Sequence, residues 1–464
     1  MNADPCLLSA HELSIAYAAK LLSPVDVIDA LLARIARLDD KLNAWIDVYG
    51  DEARESAIDA DKAIRTGKAV GLFHGVPIAI KDIIDIEGKV TTGGSATRLN
   101  HAPAASSATV VRRALADGMI VLGKTHTVEF ACGAWGTNQH MGTPWNPWDM
   151  KVARTPGGSS SGSAVAVAAR MTPVALGTDT GGSVRQPASW CGITGLKTTI
   201  GRISTFGILP LAPTLDTPGT MARTVRDVAL LYNLLQGTDP LDPLTVRRAR
   251  DDPMPTIDDG VKGLKLARLP LHERTGVAGD VLDAYDRSLE TLAKLGAKIV
   301  DIDLPFALSG FTNMVTITNA EGYFVNKAAM DDPNAKVDEV VRRRLLTGAK
   351  IAAHEYLAMM RRREELKAQM ADAMRDVDAL LTPSTETAAF PLDQIDFNAA
   401  PVRFARFVNI LDLCALALPN GMTPGRLPTS LQVVCRGYEE AMALRIGQAY
   451  QGATAWHMEM PAIS

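Results

Sequence analysis

The stretch PVALGTDTGGSVRQPAS, residues 173–189, carries the reading from which the fold follows. Its opening PVALGT is a short apolar run that reads as a buried strand. Thr180-Gly181-Gly182-Ser183 then forms a turn whose glycines permit unusual dihedrals. The same rhythm extends upstream. FHGVPIAIKDIID holds Val76, Ile78 and Ile80 as a strand ending near Lys81, and SSATVVRRALADG reads as a helix. MIVLG reads as a buried strand and SAVAVAAR as a helix. Short apolar strands alternating with helices predict an α/β fold. The expected form is a large, mixed, mostly parallel twisted sheet covered by helices on both faces.

Around this core the first 70 residues read as helical. Pro24 opens PVDVIDALLARIARL, with Val25, Ile28, Leu31, Leu32 and Ile35 at helical spacing. Residues about 237–262 are rich in Pro and Asp and read as a linker within one 1–464 unit. Beyond it GLKLARLP, the helix DVLDAYDRSLETLAKLG and the strand AKIVDIDLP resume the α/β rhythm, and DALLTPS and SLQVV are further strands. Residues about 308–375, containing Met314, Met330, Met359 and Met360, read as a helical layer walling a pocket. No internal repeat stands out.

Composition excludes several classes. A net charge of −4 at 47% hydrophobic residues points to neither nucleic acid nor an anionic membrane as partner. The runs Arg342–Arg344 and Arg361–Arg363 lie in acid-containing helical sequence and read as solvated faces. Five scattered cysteines argue against a disulfide framework and a Cys-based zinc site. No signal peptide or membrane span is legible, so a cytoplasmic location is expected, with no cofactor and no metal. A homodimer is left open.

Two motif matches fail on physical grounds. GMIVLGKT, residues 118–125, fits a P-loop pattern, but its variable positions are themselves a strand and cannot cradle phosphate. GSSSG, residues 158–162, fits a nucleophile elbow centred on Ser160. An elbow needs an apolar strand before the turn, whereas the polar DMKVARTP stands there, and no histidine is an evident base.

What survives is three small-residue segments that each place a reactive polar group beside a strand: Lys81, Ser159 in TPGGSSSGSA, and Ser183. Successive N–H groups of a glycine turn can point inward as an anion nest, the geometry an oxyanion hole needs. That makes Ser183 the better nucleophile candidate. A serine needs a base, and a buried lysine can become a neutral amine. Lys81 stands at the end of its strand, and a small hydroxyl between the two can relay a proton.

These residues carry a resemblance to the amidase signature family, serine hydrolases with a Ser-cisSer-Lys triad. GVPIAIKDIIDIEG, GTNQHMGTPWNPWD leading into TPGGSSSGSA, and LGTDTGGSVRQPASWCGITGLKTTIGRIS follow its pattern, most specifically from about 71 to 230. The resemblance implies Ser183 as nucleophile, Lys81 as base and Ser159 as a relay in a cis peptide, with the oxyanion hole at the N–H groups of Thr180, Gly181, Gly182 and Ser183. It also implies that the loop 131–136, with Gly133, Ala134 and Trp135, lines the pocket, and that Asn409 contacts substrate; Arg185 is left open between a substrate contact and pairing within the nest segment. At FVNILDLCALALPNG, Asp412 and Cys414 stand where many relatives have Gly and Pro. That variant looks more like allophanate hydrolases and other carbamate-acting relatives.

The expected activity is hydrolysis of a C–N bond in a small amide, carbamate or ureido substrate through an acyl-enzyme. An amidotransferase A-like protein releasing ammonia from glutamine for a partner is the alternative. A catalytically silent scaffold is the reading from another class, and the intact Lys81, Ser159 and Ser183 set argues against it.

Overall fold

A computed structural model describes residues 4–246 and 249–463. Eleven strands form one sheet: β1 (Trp45–Val48), β2 (Pro77–Lys81), β3 (Ile120–Thr125), β4 (Val174–Asp179), β5 (Thr194–Lys197), β6 (Thr217–Ala222), β7 (Lys265–Arg268), β8 (Lys298–Val300), β9 (Ala379–Pro383), β10 (Cys414–Met422) and β11 (Pro428–Cys435). Their order across the sheet is β1-β3-β2-β4-β6-β5-β10-β11-β9-β7-β8.

The sheet is mixed, as expected, but it is not mostly parallel. Of its ten pairings among the described residues, six are antiparallel and four parallel. The parallel pairings join β2 to β3 and β4, and β7 to β8 and β9. The sequence there supplies crossover helices such as Thr109–Ala116 and Gly279–Lys294. The centre is antiparallel because β5 and β6 run against each other, and because β10 and β11 are joined by a tight reversal around Arg426. β1 corrects the all-helical reading of the first 70 residues: WIDV pairs antiparallel with β3 at the sheet edge.

Helices cover both faces. Leu416 and Leu196 are cross-strand partners, and a side chain at Gly447 of the helix Glu440–Gly452 would stand 2.3 Å from Leu416 Cδ2. One residue out of phase, Gly195 pairs with Ala417 and faces Ala188 and Val184 beside the helix Arg185–Cys191. Alternate strand residues point to opposite faces, so these two helices lie on opposite sides of the sheet.

The 237–262 segment connects the helix Val225–Leu235 to β7. Asp239 and Asp242 in it are buried, accepting from the Ser204 hydroxyl at 2.6 Å and the Thr205 N–H at 2.7 Å. Residues 247–248 of this stretch lie outside the described residues. Residues 308–375 contain the helices Thr316–Asp331, Glu339–Leu346 and Ala353–Ala373. Among the described residues no helix is long and apolar enough to cross a membrane.

The arginine runs are not plain solvated faces. Arg363 is buried, donates to Ile410 O at 2.8 Å and pairs with Asp412. Lys367 meets the other Asp412 oxygen at 2.9 Å. Asp412 holds a left-handed φ of +54°, a region in which glycine is the least strained residue.

Candidate active site

Lys81 is the last residue of β2 and is fully buried. Its Nζ lies 2.7 Å from Ser159 Oγ and 2.8 Å from Thr178 Oγ1 on the adjacent β4. Burial pulls the ammonium down to a pKa of about 7, against the opposing pull of Asp179 and Asp216. An amine at that value is substantially neutral at physiological pH.

The 155–164 loop packs so tightly that glycine is required at its turn. Gly157 has φ +78°, and a Cβ there would stand 2.8 Å from Pro187 Cα. The Gly158–Ser159 peptide is cis. Ser160 is fully buried, and its hydroxyl donates to Thr178 O at 3.2 Å. Ser163 donates to Leu176 O at 3.0 Å. The buried Ser161 hydroxyl has no hydrogen-bond partner among the described residues. Ser159 alone of the four touches Lys81. The elbow reading of Ser160 fails because its oxygen is tied to β4. The P-loop reading fails as well, because Lys124 lies inside β3 with Asp82 at 3.0 Å.

Ser183 follows β4 across the glycine turn, and the Ser160 N–H donates to its carbonyl at 3.2 Å, joining the two loops. The Ser183 hydroxyl makes no hydrogen bond among the described residues. It lines a cavity of ≈ 410 Å³ with Thr180, Gly181, Gly133 and Ala134. The expected four-donor nest is corrected at one position. The Gly182 N–H points away and donates to Asp179 Oδ1 at 2.8 Å, leaving those of Thr180, Gly181 and Ser183 without partners among the described residues.

Asp179 organises this turn. It accepts from the Val184 N–H at 3.0 Å, from Arg185 Nε at 3.1 Å and Nη2 at 3.0 Å, and from Asn409 Nδ2 at 2.9 Å. Burial by itself would raise this carboxyl, but the Arg185 guanidinium overrides it and holds the group well below the usual range. Lys197, also buried, is pulled down to about 8 by desolvation.

Arg185 and Asn409 are therefore not substrate contacts. Arg185 is fully buried, with its remaining donors on Ala405 O, Gln432 Oε1 and Asn409 Oδ1 at 2.7–3.0 Å. Trp135 does not line the cavity either: its ring stacks on Trp190 at 5.7 Å with Phe390 edge-on. Gly133 and Ala134 do line it.

Sequence reasoning missed Thr178, Asp216, Arg344 and Arg406. Thr178 and Asp216 line a second cavity of ≈ 240 Å³ behind the turn, where Thr180 Oγ1 donates to Asp216 at 2.5 Å. Arg344 belongs to a run whose pattern reads as a solvated face, and Arg406 carries no local signal.

The family model for Amidase matches residues 26–444. The A subunit of glutamyl-tRNA(Gln) amidotransferase from Geobacter metallireducens is 36% identical over 98% of this chain and 99% of its own length. Among solved structures, a chain from a complex described as revealing the evolutionary origins of an s-triazine catabolic enzyme superposes with a TM-score of 0.90. It is 30% identical over 96% of this chain and 98% of its own. The peptide amidase PAM superposes at 0.87 with 27% identity, over 98% of this chain and 99% of its own. Matched over nearly its whole length in sequence and fold, the chain belongs to the amidase signature family and is an amidase acting on C–N bonds.

Proposed function

We propose that the protein hydrolyses the C–N bond of a small amide, carbamate or ureido compound through an acyl-enzyme on Ser183. The observation that carries this reading is the 2.7 Å contact between the buried Lys81 Nζ and Ser159 Oγ, beside the cavity that Ser183 lines. Neutral Lys81 accepts the Ser159 proton while Ser159 accepts that of Ser183, whose oxygen attacks the carbonyl carbon. The Thr178 hydroxyl holds Lys81 in place. Ser183 and Ser159 are not hydrogen-bonded at rest, and such contacts commonly tighten only when substrate arrives.

The tetrahedral oxyanion accepts from the free N–H groups of Thr180, Gly181 and Ser183, where each such donor is worth roughly 10²–10³ in rate. The relay then returns the proton to the leaving nitrogen. Water adds to the acyl carbon by the same route and frees Ser183.

The second reading, release of ammonia from glutamine for a partner protein, is favoured by the curated relatives named as the A subunit of an amidotransferase. A panel of aliphatic amides, anilides, carbamates, ureido acids and glutamine, read by amine or ammonia release, separates the two. Turnover should coincide with labelling of Ser183 by a serine-directed phosphonate. Labelling at Ser160 instead, or full activity in Lys81→Ala, would overturn the mechanism.

A further inference from the structure

Among the described residues the Ser183 cavity is lined by two guanidinium groups and by no carboxylate. Arg406, on the helix Arg403–Ile410, places its Nε 3.6 Å from where a Cβ on Gly181 would stand, directly over the turn. Arg344, on the helix Glu339–Leu346, brings Nη1 to 3.8 Å from the Cβ position of Gly133. Neither forms an ion pair among the described residues. Each donates to one main-chain carbonyl: Arg406 to Thr312 O, and Arg344 to Phe397 O at 3.2 Å.

The acidic groups nearby are committed elsewhere. Glu129, behind Cys132, accepts from the Ser95 hydroxyl and the Asp338 N–H, both at 2.5 Å. Asp338 accepts from the N–H groups of Gln139, Val340 and Val341. Asp216 lies in the second cavity, bonded to Thr180, Leu211 and Ala212. Burial first, and the repulsion of Arg344 second, pull the Arg406 guanidinium down to about 10.

Two half-buried cations without a counter-charge are costly alone and are offset by an anionic ligand that binds between them. An ammonium group on that ligand would meet two like charges and no acceptor carboxylate. We propose that the substrate is a net anion, an amide, carbamate or ureido compound bearing a carboxylate and no ammonium, with the carboxylate held by Arg344 and Arg406 while its C–N carbonyl faces Ser183. This rests on the reading of Ser183 as the residue that is acylated, and it separates the two functional readings, because glutamine is a zwitterion.

Binding to the full-length Ser183→Ala protein tests the idea without turnover. The probes are succinamate and glutaramate, the neutral butyramide, and L-glutamine, followed by calorimetry at low and high salt. The amic acids should bind at least tenfold tighter than butyramide or glutamine, and salt should weaken them. Arg344→Gln and Arg406→Gln should each lower that affinity by about 10–100-fold and leave butyramide unchanged, with Arg406→Lys recovering part of the loss. If Arg406→Gln fails to fold, Arg344→Gln carries the test. Equal binding of glutamine or butyramide, indifference to both arginine substitutions, or no amic-acid binding at millimolar concentration would overturn the proposal. Amic-acid selectivity in Ser183→Ala with no turnover of any panel compound in wild type would instead overturn the catalytic reading and support the anion site.

Discussion

Lys81 and Ser159 stand 78 positions apart in the chain, yet their side chains meet at 2.7 Å in a site from which both are excluded from solvent. The meeting depends on β2 lying parallel beside β4, with Ile80 opposite Leu176, so that the ends of both strands reach the same edge. The 155–164 loop then drops Ser159 onto that edge. A lysine that would be an ordinary surface cation at an isolated strand end is instead buried against a serine hydroxyl because of where the sheet puts it, which is what the proposed base role needs.

The first prediction concerns pH. With Lys81 at about 7, kcat/KM should rise with pH through about 7 and level off above it. The stability sign is the opposite of that for a salt-bridged lysine. The unfolded chain binds this proton up to the ordinary lysine range and the folded chain only below about 7, so the group's contribution to stability improves as pH rises between the two. Lys81→Met should be inactive yet gain stability over wild type below pH 7, read by urea denaturation at several pH values. A Lys81→Met variant less stable at every pH would refute the shift.

Asp216 should tune that profile. It is one of two carboxylates favouring the charged form of Lys81, and burial raises its own carboxyl to about 6. Removing the charge in Asp216→Asn should lower the lysine pKa and move the acidic limb to lower pH. The displacement should be smaller than the one unit or more expected of a carboxylate in direct contact. A limb that stays put, measured on the same substrate, would rule out the coupling.

Asp179→Ala should be among the most damaging substitutions. It leaves the fully buried Arg185 without its counter-charge and frees the Gly182 and Val184 N–H groups. Breaking a buried pair from one side costs about 3–5 kcal/mol. Equilibrium denaturation should show that loss, and kcat in the surviving folded fraction should fall because the turn bearing the proposed oxyanion donors is no longer held.

Trp135→Ala should behave as a core substitution. The ring is buried against Trp190 and Phe390, so about 3–5 kcal/mol of stability should be lost. At a temperature where the variant stays folded, KM should change little. A large KM effect with unchanged stability would return Trp135 to the substrate pocket.

Loss of the proposed nucleophile is the sharpest control. Ser183→Ala should reduce kcat by several orders of magnitude, as for other serine hydrolases, and abolish phosphonate labelling. Its melting temperature should stay close to wild type, since the hydroxyl makes no hydrogen bond among the described residues.

The local pattern of residues determined much of this protein. The apolar runs at 174–179 and 120–125 are strands because they are buried on both faces, and the Gly-Gly turn before Ser183 follows from glycine's freedom at φ +123°. Lys81, Ser159 and Ser183 were legible because each sits in a small-residue segment beside a strand, a pattern a plain core does not need. Only the tertiary structure decided how those segments combine. Strand direction depends on connections across the whole chain, which is why β5, β6, β10 and β11 made the centre of the sheet antiparallel. It also turned the Gly182 N–H toward Asp179 and spent Arg185 and Asn409 on the same carboxylate. The arginine at 344 reached the cavity for the same kind of reason: a helix periodicity reports which side chains share a face, and the partner that face meets is fixed by packing.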